Sequence, residues 1–303
     1  MGGERICYTI SVNRDRMKIE AHAKVNFTLE VLGLRPDGYH DLRSVVVPVS
    51  LADEVTLEPA DEVTLAADAS GALGSLAPEK NLAVRAARLM QRVSGRRDGV
   101  AITLEKRIPA GGGLGGGSAD AAAVLNGLNE LWGLGIPRQE LATLGAEIGS
   151  DVPALALGGV VLMEGRGERV APLCTLHSSI FTSHLVLANP GVFCSTPEIF
   201  KAFDAPLPNR PEILYNIRLA MQSGDGVAVA RALQNDLAAT AMRLHPEIEA
   251  ARRRLETAGC LGASMSGSGA TVFGIARDAA EAGRIARELE AEGLWSVAAE
   301  TVR

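Results

Sequence analysis

The most distinctive stretch of the chain is Pro109-Ala-Gly-Gly-Gly-Leu-Gly-Gly-Gly-Ser-Ala-Asp-Ala-Ala-Ala123. Six glycines occupy seven consecutive positions, 111–117, and Ser118 and an alanine-rich segment follow at once. Glycine tolerates positive φ and lets backbone amides come close to an anion. A helix start adds unpaired N–H groups and the positive end of a dipole. The stretch therefore predicts a phosphate-binding loop that leads into a helix, with Ser118 at its N-cap.

Other interpretations of these glycines fit less well. A flexible linker would not lie between a candidate strand at 100–104 and a strong helix at 118–132. The spacing Gly111-x-Gly113-x-x-Gly116 formally fits a dinucleotide fingerprint, but that pattern is weak by itself and belongs after the first strand of a parallel βαβ unit. A Walker loop is excluded because no Lys-Ser or Lys-Thr pair follows the glycines.

The segment from Ile19 to Val31 alternates apolar and polar residues, which predicts a long strand. Successive side chains of a strand point to opposite faces, so Lys24 and Asn26 share a polar face opposite the apolar set. Residues 35–38, Arg-Pro-Asp-Gly, then predict a turn.

The remaining pattern mixes strands and helices. The repeated sequences at 53–57 and 61–65, both Asp-Glu-Val-Thr-Leu, predict a β-hairpin. Frequent hairpins among interleaved helices favour an α+β fold over a doubly wound parallel sheet. Helices are predicted at 81–93, 118–132, 137–148, 212–222, 226–241, 246–258 and 278–292. Periodicity fades near 165–183, so we expect a domain boundary there and domains at 17–170 and 171–303. We also expect residues 1–16 to be an N-terminal tail, with Met17 as the true start.

Composition limits the class of protein. With 303 residues and 47% hydrophobic residues, the chain can bury a large core. A net charge of −6 and the lack of a long basic run disfavour sequence-independent nucleic-acid binding. Four widely spaced cysteines show no zinc or disulfide pattern, so we expect free thiols and a cytoplasmic protein: Cys7, Cys174, Cys194 and Cys260. No apolar stretch predicts a membrane span or a secretory signal.

Three motifs in order resemble the GHMP kinases: Ala23-Lys-Val-Asn26, the glycine-rich run Pro109–Ala119, and Gly262–Phe273 with a second Gly/Ser loop at 264–269. The resemblance implies a two-domain α+β fold with mixed and antiparallel sheets. It also implies an ATP-dependent small-molecule kinase whose glycine-rich loop binds ATP with Mg2+.

Further segments resemble the branch of that family that acts on cytidine diphosphate methylerythritol. They are Arg35–Leu42, Lys80–Leu82, Gly149–Pro153, Asn189–Val192 and Ser195–Phe200. The resemblance implies phosphorylation of the C2 hydroxyl of the methylerythritol unit by a monomer or a loose homodimer. Two alternatives stay open: a homoserine or mevalonate type of kinase, and a non-catalytic nucleotide sensor of the same fold.

The same resemblance implies a role for each site residue. Asp151 takes the proton of the substrate hydroxyl, and Lys24 supports its charge and that of the phosphoryl group. From sequence alone, Asp151 is equally a helix cap, Lys24 is more often a solvated surface lysine, and Phe200 is a core residue. Asn81 and Lys106 have a helix cap and a surface lysine as their alternative roles. The implied ATP contacts are Asn81, Lys106, Pro109, Ala110, Gly111, Gly112, Gly113, Leu114, Gly115, Gly116, Gly117, Ser118 and Ala119. The implied substrate contacts are Asn26, Tyr39, His40, Thr196, Pro197, Phe200, Ser266 and Gly267, with Tyr39 and Phe200 stacking on the cytosine and His40 hydrogen-bonding to it.

Overall fold

The computed structural model describes residues 10–13, 16–67, 78–173, 182–204 and 210–302. Its strands are β1 Ile10–Asn13, β2 Arg16–Leu34, β3 His40–Ala60, β4 Thr64–Ala67, β5 Gly99–Glu105, β6 Val161–Gly165, β7 Arg169–Pro172, β8 His184–Asn189, β9 Gln234–Asn235, β10 Gly262–Met265, β11 Val272–Ala276 and β12 Trp295–Glu300. Its α-helices are α1 Leu82–Ser94, α2 Gly116–Leu131, α3 Arg138–Gly145, α4 Val152–Leu157, α5 Thr196–Ala202, α6 Glu212–Ser223, α7 Gly226–Ala232, α8 Ala238–Leu244, α9 Pro246–Thr257 and α10 Ala279–Ala291.

The larger sheet carries the long predicted strand. Its order is β1-β2-β3-β5-β4, with β6 and β7 continuing from β3, and with β9 parallel to β2. Helices α1 and α2 pack against one another, and α2 lies across β2 and β3. Apolar residues of these elements, including Ile19, Leu57 and Leu125, form one buried core. This helical layer fixes where α2 begins, and therefore where the glycine-rich loop lies.

The smaller sheet is antiparallel, in the order β10-β11-β8-β12, and α9 and α10 pack against it. A further core joins the two sheets, with the rings of Phe27 and Phe273 stacked 5.9 Å apart between centroids. The mixed and antiparallel sheets with interleaved helices confirm the predicted α+β fold.

The hairpin predicted from the repeated Asp-Glu-Val-Thr-Leu sequences is wrong. Strand β5 lies between β3 and β4, antiparallel to the first and parallel to the second. The chain crosses from β3 to β4 over Gly99, where an added Cβ would lie 2.1 Å from the backbone carbon of Glu62. The absence of a side chain at Gly99 thus permits a crossover that the local repeat could not reveal.

Two other predictions need correction. Residues 10–13, assigned to the tail, form β1 and pair with the start of β2, while residues 1–9, Cys7 among them, and 14–15 lie outside the described residues, as does Cys174. The helix predicted at 226–241 is two helices, α7 and α8, separated by β9. The break occurs because Gln234 and Asn235 pair with β2, a contact between distant parts of the chain.

Apart from the short strand β9, the strands of the larger sheet end at β7, two residues beyond the predicted boundary at 170, and the smaller sheet begins at β8. Within the described part of the chain, no helix combines the length and the apolar character needed to cross a membrane. Cys194 and Cys260 are buried free thiols, as expected.

Candidate active site

The glycine-rich loop (residues 109–117) has positive φ at alternate glycines, namely 68° at Gly111, 75° at Gly113 and 72° at Gly115. Helix α2 begins at Gly116 with Gly115 as its N-cap, so the prediction of Ser118 as the N-cap is wrong. Ser118 lies in the first turn instead, because Gly115 adopts the left-handed conformation that starts the helix. First-turn N–H groups have no partner within a helix, so this end can donate to an anion.

The loop is held by two other segments that the sequence singles out. The Ser266 Oγ donates to the Gly113 carbonyl at 2.9 Å, and the backbone N–H of Lys24 donates to the Leu114 carbonyl at 3.0 Å. A Cβ on Gly113 would lie 2.3 Å from the Ser266 carbonyl oxygen, so no side chain fits there. The three ordered motifs therefore meet at one place in the fold.

Lys24 and Asp151 face one another beside this loop. The Lys24 Nζ lies 3.4 Å from an Asp151 carboxylate oxygen and donates to the Asn26 Oδ1 at 2.7 Å. The Lys24 side chain is only 3% exposed, whereas that of Asp151 is 31% exposed. A buried ammonium thus pairs with a carboxylate that a ligand can still reach.

The structure argues against the non-catalytic alternative for each of these two residues. Asp151 occupies the N-cap position of α4, but its side chain makes no capping hydrogen bond. The carboxylate is therefore not used as a cap. Lys24 is buried, which excludes a solvated surface lysine.

Asn26 is fixed by the strand beside it. Its amide nitrogen donates to the Ser44 Oγ at 2.7 Å, and that hydroxyl donates to the Thr28 carbonyl at 2.5 Å. The Asn26 Oδ1 therefore faces the Lys24 ammonium and accepts its hydrogen bond. Ser44 is a buried site residue that the alternation pattern could not distinguish from any other strand serine.

The Gly/Ser loop (residues 264–269) closes the site from the smaller sheet. A Cβ on Gly267 would lie 3.4 Å from the Lys24 Nζ. Asn235 holds this loop by donating to the carbonyls of Met265 at 2.7 Å and Gly267 at 2.9 Å. Sequence reasoning missed Asn235 because it treated 226–241 as one helix.

The predicted cytosine contacts lie on β3, its preceding turn, and α5. Tyr39 is 57% exposed, and the guanidinium carbon of Arg166 lies 4.8 Å from its ring centroid. His40 stacks on Phe200 with centroids 5.2 Å apart and ring planes 26° apart. Phe200 also packs against the core of the smaller sheet.

Thr196 and Phe193 connect this region to the two loops of the site. Thr196 hydrogen-bonds to Ser268 at 2.7 Å, which ties α5 to the Gly/Ser loop. Phe193 was missed as a site residue. It is 74% exposed, and a Cβ on Gly111 would lie 2.9 Å from its ring, so this aromatic side chain lies against the glycine-rich loop.

The predicted adenosine contacts have strong partners within the protein. Asn81 is the N-cap of α1 and accepts from the Ala83 N–H at 2.9 Å, which is its alternative role. Lys106 is not a surface lysine, because its side chain is 10% exposed. Its ammonium group pairs with Asp53 and, at 2.5 Å, with Asp120.

Oxygen donors that could contact a magnesium ion also lie here. A Cβ on Gly149 would be 3.9 Å from the Ser118 hydroxyl, so this hydroxyl borders the turn that carries Asp151. The part of the chain that the structure describes has no group of three or more His, Cys, Asp or Glu suited to a metal. Mg2+ often takes only one or two protein oxygens together with substrate phosphates and water, so Ser118 and Asp151 fit such an ion.

Comparison with known proteins identifies the class of protein. Residues 81–159 match the family described as GHMP kinases N terminal domain, and residues 217–293 match GHMP kinases C terminal. The 4-diphosphocytidyl-2-C-methyl-D-erythritol kinase of Symbiobacterium thermophilum is 45% identical over 89% of this chain and 94% of its own length. The enzyme of the same name from Gloeobacter violaceus is 41% identical, over 91% of each chain.

Solved structures agree with this assignment. A crystal structure of 4-(cytidine 5'-diphospho)-2C-methyl-D-erythritol kinase is 36% identical, covers 95% of this chain and 100% of its own, and gives a TM-score of 0.77. Homoserine kinase from Cytophaga hutchinsonii covers 96% of each chain with a TM-score of 0.72, but at 20% identity it shows the shared fold alone. The chain belongs to the GHMP kinase family and, within it, to the 4-diphosphocytidyl-2-C-methyl-D-erythritol kinases.

Proposed function

We propose that this chain is an ATP-dependent kinase that phosphorylates the 2-hydroxyl of 4-diphosphocytidyl-2-C-methyl-D-erythritol, a step of non-mevalonate isoprenoid synthesis. The observation that carries the proposal is the Lys24–Asp151 pair, whose charged groups lie 3.4 Å apart beside a glycine-rich loop with positive φ at three of its glycines. The names of the full-length relatives support the particular substrate. The buried free thiols of Cys194 and Cys260 support a reducing, cytoplasmic site of action.

The mechanism follows from the positions of these groups. Asp151 accepts the proton of the substrate hydroxyl, and the oxygen attacks the γ-phosphorus of ATP. The bond from that phosphorus to the β–γ bridging oxygen breaks, and ADP leaves. Lys24 balances the carboxylate and the charge on the transferred group, while backbone amides of the glycine-rich loop bind the remaining phosphates. Such transfer depends mainly on positioning and charge, which a buried, hydrogen-bonded lysine supplies.

Magnesium is part of the proposal. When bound, the ion neutralises charge on the phosphate oxygens. Ser118 and Asp151 are the residues that would contact it, because both offer oxygen atoms at this edge of the loop.

The binding roles are also proposed. ATP is assigned to the glycine-rich loop, Ser118 and Ala119, with Asn81 bordering the adenosine. Because the Lys106 ammonium is bonded to carboxylates, only the rest of that residue is left for the adenosine. The substrate is assigned to Asn26, Tyr39, His40, Thr196, Pro197, Phe200, Ser266 and Gly267. The exposed ring of Tyr39 and the His40–Phe200 stack support an aromatic pocket for a base.

The function can be tested by comparing three candidate acceptors. ADP release would be followed with 4-diphosphocytidyl-2-C-methyl-D-erythritol, homoserine and mevalonate, each offered with ATP and Mg2+. We expect turnover only with the cytidylyl substrate, since the other two have no base to stack. Turnover of homoserine or mevalonate alone would replace the proposed substrate, and no turnover of any acceptor would favour a nucleotide sensor.

Gly115→Val is expected to weaken ATP binding by about tenfold or more, because a β-branched residue resists the left-handed conformation at a cost of roughly 1–2 kcal/mol or more. An added Cβ there would also lie 3.2 Å from the Lys24 side chain. Gly135→Val is the matched control, since Gly135 has a φ of 66° but open space around it. ATP binding is measured by calorimetric titration in the presence of Mg2+. Equal ATP affinity in Gly115→Val and Gly135→Val would contradict the assignment of the loop to ATP.

Tyr39→Ala is expected to raise KM for the cytidylyl substrate while sparing KM for ATP. Loss of one stacking face is worth roughly 1–3 kcal/mol, or about 5- to 150-fold. Phe200→Ala should act in the same direction, with an added loss of stability because Phe200 also packs on the core. Tyr215→Ala removes a similarly exposed tyrosine, on α6, and should change neither KM. Unchanged KM in both pocket variants would place the cytosine elsewhere.

A further inference from the structure

Three charged side chains meet beneath the glycine-rich loop and take no part in the chemistry described above. They are Asp53 in β3, Lys106 directly after β5, and Asp120 in the second turn of α2. The Lys106 ammonium pairs with both carboxylates, at 2.5 Å from Asp120. The three side chains are 0%, 10% and 3% exposed, respectively.

This cluster contacts the chain on both sides of the loop. The second oxygen of Asp53 accepts from the backbone N–H groups of Arg107 at 2.5 Å and Ile108 at 2.9 Å, where the chain enters the loop. Asp120 lies in the helix by which the chain leaves it. Lys106 bridges the two carboxylates, so one ammonium group connects the entry to the exit.

The loop exit also packs directly against side chains at the loop entry. A Cβ on Gly116 would lie 3.0 Å from the Ile108 side chain and 3.6 Å from an Asp53 carboxylate oxygen. The separation of the two ends therefore has little freedom. A change in the cluster would be transmitted directly to the residues that begin and end the loop.

The cluster is not expected to contribute much to the stability of the fold. Buried ion pairs often contribute little net stability, because removing charges from water offsets their attraction. Burial raises the pKa of Asp120 to about 7, and among the described residues its Oδ1 has no hydrogen-bond partner. The position of the cluster at the two ends of the loop therefore indicates a role other than stabilising the fold.

We infer that Asp53, Lys106 and Asp120 form a loop clamp, which holds the two ends of the glycine-rich loop at the separation where its amides bind the triphosphate. Asp120 is then a positioning residue for ATP, acting through Lys106. The inference rests on the proposed function only in taking ATP as the ligand of the loop.

The test compares Asp120→Ala and Asp120→Asn with Asn129→Ala. Asn129 lies on the same helix and ties the following turn by two hydrogen bonds to Ile136, so its loss destabilises α2 far from the loop. We expect Asp120→Ala to weaken binding of ATP with Mg2+ by about tenfold, since a hydrogen bond to a charged group is lost. Asp120→Asn keeps an oxygen that accepts from Lys106 and should stay within about threefold of the unaltered chain.

Calorimetric Kd values for ATP, together with separate KM values for ATP and for the cytidylyl substrate, distinguish a positioning role from a simple loss of stability. The loop clamp predicts a raised Kd and KM for ATP, with KM for the cytidylyl substrate unchanged. Equal ATP affinity in Asp120→Ala and the unaltered chain would overturn the inference, as would an equal loss in Asn129→Ala. If Asp120→Ala does not fold, Asp120→Glu is used, because its longer side chain displaces the carboxylate, and unchanged ATP affinity there also overturns the inference.

The outcome is independent of the substrate assignment. If the unaltered chain does not phosphorylate the cytidylyl substrate but Asp120→Ala still weakens ATP binding, the proposed function fails and the loop clamp stands. If the unaltered chain is an active kinase and Asp120→Ala binds ATP normally, the loop clamp fails alone.

Discussion

Asp151→Asn should reduce kcat by roughly 10²–10⁴-fold, the usual cost of losing a general base. The amide oxygen cannot accept the hydroxyl proton, although the side chain keeps its size. The chain should still fold, because the Asp151 side chain makes no capping hydrogen bond to α4, but it should lose some stability because the buried Lys24 ammonium loses its charged partner. ATP affinity should be largely retained, since the loop amides remain in place and the amide oxygen of Asn can still contact Mg2+. Steady-state kinetics with thermal denaturation would measure both effects.

Asp225→Asn is the matched control for this prediction. Asp225 is the N-cap of α7, and its carboxylate does accept a hydrogen bond, from the Val227 N–H at 2.8 Å. A change there tests capping without touching the site, so kcat should remain normal. Retention of more than half the original kcat in Asp151→Asn would remove Asp151 from the mechanism.

Lys24→Met should reduce kcat by roughly 10²–10³-fold, the range found when one transition-state electrostatic contact is removed. The ammonium that faces Asp151 at 3.4 Å is lost, so neither the carboxylate nor the transferred phosphoryl group has its buried cation. Methionine has a similar length and flexibility, so it fills the space without large repacking. The fold should persist, which circular dichroism can verify.

Lys18→Met provides the comparison within the same strand. Lys18 pairs with Glu54 and its side chain is 43% exposed, so the change should affect neither kcat nor KM. A Lys24→Met variant with raised KM for ATP but normal kcat would assign Lys24 to uniform binding rather than to the transition state. That result would contradict the proposed role.

Several features follow from local sequence because local physics governs them. Apolar alternation from Ile19 to Val31 predicted β2, and helical spacing predicted α1. The glycines at 111–117 indicated a loop before a helix, since few other residues adopt positive φ. Each of these signals extends over one strand, one helix or one turn.

Which strands pair with one another was harder to predict. The repeated Asp-Glu-Val-Thr-Leu sequences indicated two strands, the second of which begins only at Thr64, but β5 lies between them because the chain crosses over Gly99. Likewise, residues 226–241 have helical spacing, yet pairing of Gln234 and Asn235 with β2 divides the helix. Pairing between residues far apart in the chain overrides local preference.

The sequence by itself determined the α+β class, the glycine-rich loop that leads into a helix and, through resemblance, the candidate residues Lys24 and Asp151. Only the tertiary structure decided that Lys24 is buried, that the Asp151 side chain is not a cap, and that Asp53, Lys106 and Asp120 meet beneath the loop. Periodicity reports which face of an element a side chain occupies, but not what covers that face. Burial and charge pairing depend on segments brought together by folding, and these set the chemistry of the site.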